Sequence, residues 1–333
     1  MEIPAAACGD RELIPPRPER RSSRWAGDAC AVTRVNLHLL RIFVAVAEHR
    51  SFSRAAETLC ISQPAVSKAI RELERQLDLP LLERDVGGGR GVRPTEGGWA
   101  LLEHARGIFA LERAAVEDIR ARVGLRRGRL RVGASTTIAG YWLPRYVAEF
   151  VAAVPAIELE IQAANTRTVT AALIACQMDL ALVEGAVGDP RILVTHWRDE
   201  PLSVIAHPAS PLARKARPTR AELNGQIWLT REVGSGTREV TDRMTAACGI
   251  APERQIAFGS NEGIAGAVAA GLGVAMLPKR VVKELSKAGA VSELRLPSGP
   301  LPPRPLYLLR LKERPLSPLA RAFIEAIEPL EES

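Results

Sequence analysis

The sequence is poor in the residues that build metal centres and disulfide-stapled folds. Its five cysteines, Cys8, Cys30, Cys60, Cys176 and Cys248, include no CxxC pair, and its five histidines form no cluster with them. This spacing predicts neither a metal site nor a bound cofactor. Free thiols are typical of a reducing cytosol, so we expect a cytoplasmic protein.

Long apolar runs are missing as well. No stretch approaches the roughly 18 consecutive apolar residues that a membrane-spanning helix needs. The N-terminal residues contain no continuous apolar stretch of the kind found in secretory signals. No membrane partner is therefore expected.

The loops of common enzyme classes are also absent. The Gly-Ser-Gly-Thr run at 234–237 lacks the lysine of a nucleotide phosphate-binding loop. No GxSxG elbow occurs, and the histidines are not associated with any nucleophile. These absences predict that the chain is not an enzyme.

The chain is long and moderately basic. Its 333 residues exceed what one core usually holds and predict two or three domains. The net charge of +7 permits a nucleic-acid partner without proving one. Arginine outnumbers lysine, either because guanidinium groups bind phosphate or because of genomic codon bias, which is the simpler explanation.

The most informative stretch, residues 51–74, predicts two short helices joined by a tight turn. In the second helix, apolar residues recur at steps of three and four and form one stripe that faces a core. Polar and cationic residues fall on the other side, as in a helix that reads DNA. The stripe contains Val66, Ala69, Ile70, Leu73 and Leu77, and the polar face contains Ser67, Lys68, Arg71 and Arg75.

Capping residues mark the expected helix ends. A first helix is predicted over 36–50, and Ser53 is expected to cap a second over 54–59. Ser62 is expected to cap the third helix, with Pro64 in the first turn, where a missing amide costs little. The Asp-Leu-Pro run at 78–80 ends it.

A glycine-rich segment over 84–93 predicts a hairpin that carries three arginines, Arg84, Arg90 and Arg93. Glycines permit close approach to a phosphate backbone, and arginines supply positive charge. The segment is therefore interpreted as a DNA-binding wing, with a mobile surface loop as the alternative.

Residues 39–95 resemble the winged helix-turn-helix of LysR-type transcriptional regulators. Matching pieces include Ser51-Phe52-Ser53-x-Ala55-Ala56, Ser62-Gln63-Pro64-Ala65-Val66-Ser67 and Pro94-Thr95-x-x-Gly98. The resemblance implies binding to double-stranded promoter DNA. The implied DNA-binding residues are Arg54, Ser62, Gln63, Pro64, Ser67, Lys68, Arg71, Arg84, Arg90 and Arg93.

A long helix is predicted over 96–123, capped by Thr95. It carries a heptad-like stripe, interrupted at Glu112, which predicts pairing with a second helix. In the family that this chain resembles, the matching helix pairs between subunits. A homodimer or homotetramer is therefore implied, with RNA polymerase as a further candidate partner. The stripe contains Leu102, Ala105, Phe109, Val116, Ile119 and Val123.

Beyond a hinge at 124–128, short strand-like runs alternate with helical stretches and predict a mainly parallel sheet flanked by helices. The resemblance implies a periplasmic-binding-protein-like fold of two lobes. The predicted fold class is thus α/β overall, with an N-terminal all-α winged helix-turn-helix, a long linker helix and a two-lobed C-terminal effector domain.

The predicted divisions are an extension at 1–35, a DNA-binding domain at 36–94 and a linker helix and hinge at 95–127. The first lobe is placed at 128–193 plus 300–328, and the second at 194–299. The extension is either a disordered basic arm or the product of a start codon assigned too early. The second interpretation is preferred because the family usually begins just before Asn36.

Two hydroxyl-rich segments, at 133–137 and 231–238, follow strands at the start of helices. Free amides and helix dipoles there bind anions, although Ser and Thr also serve as ordinary N-caps. The second segment resembles the loop of a subgroup that regulates sulfur and carbon-dioxide assimilation and senses small anions. An anionic effector between the lobes is predicted, and the alternative is a solute-binding protein without a regulatory role. The candidate effector-binding residues are Ser135, Thr136, Thr137, Asn165, Thr166, Ser235, Gly236, Thr237, Arg238 and Asn261.

Overall fold

The computed structural model describes residues 35–84, 91–122 and 128–328, without the side chains of Arg84 and of five residues between 117 and 122. The described residues form two compact units, which divide between Pro80 and Leu81. Arg90, Val123 and the extension predicted over 1–35, apart from its last residue, lie outside the described residues.

The first unit consists of three helices, α1 (Leu37–His49), α2 (Phe52–Thr58) and α3 (Gln63–Leu77). Asn36, Ser51 and Ser62 cap them by accepting hydrogen bonds from backbone amides two or three residues ahead. The predicted cap of α2 at Ser53 was wrong, because Ser51 is the extended residue whose Oγ accepts from the Arg54 amide at 3.3 Å. The predicted cap and proline at the start of α3 are confirmed.

The apolar stripe of α3 is confirmed as part of the core of this unit. Val66 and Leu73 are fully buried, and Ala69 and Ile70 nearly so. They share the core with the apolar face of α1, which the 3.6-residue period places on one side of that helix. The buried α1 residues are Leu40, Ile42, Phe43, Val46 and Ala47.

The second unit begins with the antiparallel strands β1 (Leu82–Arg84) and β2 (Val92–Pro94). The helix α4 (Glu96–Arg122) follows, and Thr95 caps it by accepting from the Gly98 amide at 3.0 Å. A side chain at position 98 would overlap the Leu81 carbonyl, so glycine permits α4 to start against the hairpin.

The stripe predicted along α4 is divided in the structure. Leu102, Ala105 and Phe109 are buried within the protomer, so they are not available to a partner helix as predicted. Val116 and Ile119 are exposed, and Val123 lies outside the described residues. The exposed large apolar residues of α4 are Trp99, Ile108, Leu111, Val116 and Ile119.

The first lobe contains a five-stranded sheet ordered β4-β3-β5-β12-β6, flanked by helices. Alternate residues of β5 enter two cores: Leu180 and Leu182 pack with Phe150 and Phe323, whereas Ala181 packs with the residues of α7. The elements are β3 (Gly128–Ser135), α5 (Thr136–Tyr141), α6 (Leu143–Ala153), β4 (Ile157–Ala164), α7 (Thr166–Ile174), β5 (Leu180–Glu184), β6 (Ile192–Glu200), β12 (Arg304–Leu311) and α12 (Pro318–Ile327).

The second lobe contains the antiparallel sheet β10-β7-β11 and the parallel pair β8-β9, joined by a bridge between Trp228 and Val274. Trp228 is fully buried and donates its indole N–H to the Leu223 carbonyl at 2.8 Å. The elements are β7 (Leu202–Ala206), α8 (Arg220–Asn224), β8 (Ile227–Arg231), α9 (Gly236–Ala247), β9 (Arg254–Phe258), α10 (Asn261–Ala269), β10 (Ala275–Pro278), α11 (Lys279–Lys287) and β11 (Ser292–Leu294).

Two predictions about the lobes need correction. The sheets are mixed rather than mainly parallel, because β12 runs antiparallel to β5 and β6, and β7 runs antiparallel to β10 and β11. The second lobe begins near Pro201 rather than at 194, because β6 pairs with β12 through Glu200. Among the described residues, no helix combines the length and apolar character needed to cross a bilayer.

Candidate functional site

The outer face of α3 is polar and cationic. Ser62, Gln63, Pro64, Lys68 and Arg71 are exposed, and Ser67 is half-buried. The Ser67 hydroxyl accepts from Gln63 Nε2 at 3.0 Å, and its carbonyl accepts from Arg71 Nε at 3.2 Å. These contacts hold three polar side chains against one turn of the helix, on the side opposite the core.

The cations of α3 differ in their availability. Arg75 donates two hydrogen bonds to Glu72, and these bonds hold the Glu72 pKa at about 2, so this pair is neutral overall. Among the described residues, Lys68 and Arg71 have no carboxylate partner within 4.0 Å. Arg54, at the start of α2, is also exposed. Two cations of α3 are thus free to bind phosphate or base edges.

The arginines of the β1–β2 hairpin differ in what the structure describes of them. Arg93 of β2 is half-exposed and pairs with Glu83 across the ladder at 2.9 Å. The side chain of Arg84 and all of Arg90 lie outside the described residues, so their predicted roles on DNA stay predictions.

In the second unit, four helices begin at the cleft between the lobes. Helices α5 and α7 follow β3 and β4 of the first lobe, while α9 and α10 follow β8 and β9 of the second. The carboxyl ends of these strands therefore meet from opposite sides, which is where open α/β sheets bind ligands. The structure brings all ten predicted effector residues to the starts of these helices.

Arg231, at the end of β8, connects the two lobes. Its side chain is 2% exposed and donates to the Thr136 hydroxyl at 3.1 Å and to the Asn261 side-chain oxygen at 3.2 Å. Nε and Nη2 donate to the Glu232 carboxylate at 2.7 and 3.0 Å. Asn165 of the first lobe donates to the same carboxylate at 3.3 Å.

The charge of Glu232 is maintained by these contacts. Its partial burial is the largest effect and favours the neutral acid, but the hydrogen bonds from Arg231 and the other donors outweigh it. The pKa of Glu232 is consequently lowered. Arg231 and Glu232 thus form an ionised pair whose hydrogen bonds cross the cleft.

Two further bonds involve predicted residues. Asn261 Nδ2 donates to Thr137 Oγ1 across the cleft at 2.8 Å. Within the first lobe, Thr166 Oγ1 donates to the Glu184 carbonyl at 2.9 Å. Gly236 packs against that carbonyl so closely that a Cβ would overlap it. This glycine therefore permits close contact between two chain segments.

A buried ionic cluster lies where the chain crosses between the lobes. Arg304 is fully buried and donates to Glu200 Oε2 at 3.0 Å and to the Thr237 hydroxyl at 2.8 Å. Thr237 in turn donates to Glu184 Oε1 at 2.9 Å. In the part of the chain that the structure describes, no donor reaches Oε2 of Glu184 or Oε1 of Glu200 within hydrogen-bond distance. The cluster joins the start of α9 to the two segments, near Glu200 and near Arg304, in which the chain crosses between the lobes.

The start of α9 differs from its three neighbours. Ser135, Asn165 and Ser260 cap α5, α7 and α10 with side-chain oxygens at 3.2, 3.0 and 3.0 Å from backbone amides. Ser235, the N-cap residue of α9, makes no such bond although it is 2% exposed. The first-turn amides of this 12-residue helix therefore receive no hydrogen bond from their N-cap side chain.

Arg167 lies beside this helix start and was missed in the sequence. Its backbone amide donates to the Gly234 carbonyl at 3.1 Å, and its side chain passes over Gly234, whose φ is +92°. Among the described residues, no carboxylate pairs with its guanidinium. Only the two-lobed fold brings this residue of α7 to the loop before α9, so no local sequence signal identifies it.

Arg238, the predicted charge partner of a ligand, has other contacts. It donates to the Arg231 carbonyl at 3.0 Å and to Asp242 at 3.4 Å, one turn along α9. The second of these is an ion pair at the surface of α9. The residues that sequence reasoning missed, Arg167, Arg231, Glu232, Glu200 and Arg304, join segments far apart in the chain.

Comparison with known proteins identifies both parts of the chain. A model of the LysR substrate binding domain matches residues 124–330, and one described as "Bacterial regulatory helix-turn-helix protein, lysR family" matches residues 37–99. The regulator CysL of Bacillus subtilis is 31% identical over 246 residues, covering 74% of this chain and 81% of CysL.

Two further relatives match most of their own length. The regulator CbbR of Rhodospirillum rubrum is 33% identical over 289 residues, covering 87% of this chain and 94% of CbbR. The regulatory domain of CcmR from Synechocystis, solved in complex with 2-PG, is 28% identical with a TM-score of 0.55. That match covers 60% of this chain and 96% of the CcmR domain.

Proposed function

Since this chain belongs to the LysR family of bacterial transcriptional regulators, we propose that a small anion bound between its lobes controls its action on promoter DNA. The chain is a DNA-binding regulator rather than an enzyme, because LysR family models match residues 37–99 and 124–330 and the relatives CysL and CbbR are transcriptional regulators. The presence of a helix-turn-helix removes the solute-binding alternative.

Helix α3 reads the operator. Gln63, Ser67 and Arg71 face base edges, while Lys68, Arg54 and Ser62 contact phosphates. The exposed polar face of α3 and the unpaired cations Lys68 and Arg71 support this assignment. Pro64, which is exposed in the first turn, and the hairpin arginines Arg84, Arg90 and Arg93 complete the surface.

The uncapped start of α9 is the observation that carries the effector site. An anion there accepts from the amides of Gly236, Thr237 and Arg238 and from the Ser235 hydroxyl. The guanidinium of Arg167 supplies the opposite charge from the first lobe. The complex of the CcmR domain with 2-PG supports a small anion as the ligand class.

The other candidate residues respond to the ligand indirectly. Ser135 caps α5, and Thr166 bonds to the Glu184 carbonyl within the first lobe. Hydrogen bonds between the lobes are made by Thr136, Thr137, Asn165 and Asn261, so these four residues report whether the lobes are closed. A ligand that binds the closed lobes more tightly than the open ones shifts the equilibrium by that difference in affinity. The regulator acts as an oligomer in the cytoplasm, where two copies of α3 read two half-sites.

Calorimetric titration of the full chain with 2-PG, phosphate, sulfate and sulfite tests this effector site. Ser235→Ala and Arg167→Gln should each lower the affinity for whichever of these anions the wild type binds. The expected loss is about tenfold or more, because each substitution removes a hydrogen bond to a charge. Arg145→Gln, which removes an exposed arginine of α6, is the matched control.

The outcome also separates the two halves of the proposal. Operator binding without effector should be unchanged in Ser235→Ala, since this residue lies in the second unit. Wild-type anion affinity in both cleft variants would place the effector elsewhere.

A further inference from the structure

A second cavity rich in arginine lies at the opposite end of the first lobe from the cleft. Its volume is about 110 Å³, and it lies between α4 and the amino ends of β3 and β5. The space of about three or four water molecules also suffices for one tetrahedral oxyanion. The charged and polar residues that line the cavity are Arg113, Arg129, Arg131, Asp179, Arg314 and Ser317.

The wall contains four guanidinium groups and one carboxylate. Asp179 is already engaged on both oxygens, since it accepts from Arg314 and, at 2.8 Å, from the Arg131 amide. Arg129 pairs with Glu160 at 2.6 Å on the outer surface of the sheet. Among the described residues, Arg131 has no carboxylate partner for its side chain, which donates one bond, to the Cys176 carbonyl.

The fold holds these groups in place. Arg314 is 13% exposed, and its Nη1 donates to the Met178 carbonyl at 2.8 Å, so the fork of its guanidinium is fixed. The Ser317 hydroxyl accepts from the Ala320 amide at 3.2 Å as the cap of α12, which leaves its own proton for an acceptor in the cavity. The positive end of the α12 dipole points the same way.

The thiol of Cys176 reports the same positive field. Burial raises the pKa of this thiol, and Arg314, Arg113, Arg106 and Arg131 all oppose that rise. Three of these four arginines, Arg113, Arg131 and Arg314, also line the cavity. The guanidinium groups of the wall outnumber its one carboxylate, and an excess of positive charge in a partly enclosed space attracts a small anion.

We propose that this cavity is a second anion site, which binds a free inorganic oxyanion or a phosphate monoester between α4 and the first lobe. The ligand accepts from Arg113 of α4 and from Arg131, Arg314 and Ser317 of the lobe. It thereby fixes the lobe to the helix that leads along the chain to the DNA-binding unit. Occupancy of the interlobe cleft is not required.

Titration of the full chain with inorganic phosphate, in chloride buffer of constant ionic strength, tests this site. Phosphate should bind the wild type and raise its melting temperature. Arg113→Gln and Arg131→Gln should each weaken phosphate binding about tenfold or more, because each removes a charge-assisted hydrogen bond. Arg131→Lys keeps the charge but loses the planar fork, so its phosphate affinity should lie between those of the wild type and Arg131→Gln.

Two controls make the result specific. Arg145→Gln removes an exposed arginine of the same lobe and should bind phosphate as the wild type does. Ser235→Ala, in the interlobe cleft, should also retain this phosphate site. Failure of the wild type to bind phosphate, or equal affinity in Arg113→Gln, Arg131→Gln and the wild type, overturns the proposal. If Arg131→Gln unfolds, Arg113→Gln decides, since it changes an exposed residue of α4.

Discussion

Arg304 carries a charged side chain in a fully buried position. It is a fully buried cation between Glu184 and Glu200, in a stretch flanked by prolines, and it joins the two crossovers of the chain to the end of β5. Removing ions from water is costly, so such a cluster is stable only while its members stay together. Its value to the protein is a fixed geometry at the base of α9.

Removal of Arg304 should therefore destabilise the second unit strongly. Arg304→Ala leaves two buried carboxylates without their cation, and we expect a loss of about 3–5 kcal/mol in the free energy of unfolding. Urea denaturation of the full chain measures it. Arg145→Ala breaks an exposed pair with Glu149 and should leave the urea midpoint unchanged. Equal midpoints for the two variants would contradict the role assigned to Arg304.

At the scale of the element, α3 and α4 show two kinds of helix. Helix α3 has a proline, a buried stripe and an exposed cationic face within its own 15 residues, and its cap is the residue directly before it. Helix α4 has apolar residues on several sides, some buried in the protomer and others exposed. The first helix is specified locally, whereas the second depends on what packs around it.

Arg71 should contribute sequence discrimination through α3. If Arg71 contacts a base edge, Arg71→Ala costs about 1–3 kcal/mol of operator affinity and relaxes the preference at that base pair. Lys68→Ala should weaken binding to all sequences alike and reduce its dependence on salt. Gel shifts at two salt concentrations distinguish the two effects. An operator affinity unchanged by either substitution would remove α3 from the interface.

Leu111 should support the oligomer through α4. It is 46% exposed, with Ile108 and Ile119 exposed on the same helix. If a partner subunit covers this face, Leu111→Asp makes association of the subunits unfavourable, because association would bury the charge of the aspartate. Sedimentation should then detect a shift toward monomer. Leu272→Asp, at an exposed leucine of the second lobe, should not change the assembly; the reverse pattern would exclude α4.

At the scale of the whole molecule, closure of the lobes depends on ionised Glu232. Because its pKa is lowered from an ordinary 4.5, its contribution to stability is present above that pH. The contribution is lost as the pH falls through the lower value of the folded state. The closed arrangement should therefore weaken in acid.

Glu232→Gln isolates this contribution. Between about pH 6 and about pH 3, the melting temperature of the wild type should fall more steeply than that of the variant. The two curves should converge in acid, where both side chains are neutral. Parallel curves would show that Glu232 titrates equally in the folded and unfolded states.

Prediction succeeded where the determining contacts are local. The cap at Ser62, the stripe of α3 and the start of α4 at Thr95 follow from residues within four positions of one another. The ten candidate effector residues could be placed at helix starts because strand-to-helix turns leave a local signature, and their binding of an effector stays a prediction. The edge strand β6 was missed, because its partners in the sheet lie more than 100 residues further along the chain.

The sequence by itself determined the helix-turn-helix, the alternation of strands and helices and the family, since each rests on short-range spacing. The tertiary structure decided which arginine performs which task. Arg231 closes the lobes, Arg304 fixes the crossovers, and Arg131 faces a cavity. The physical reason is that the state and partners of a charge depend on burial and on groups brought near by folding, and neither is encoded in neighbouring residues.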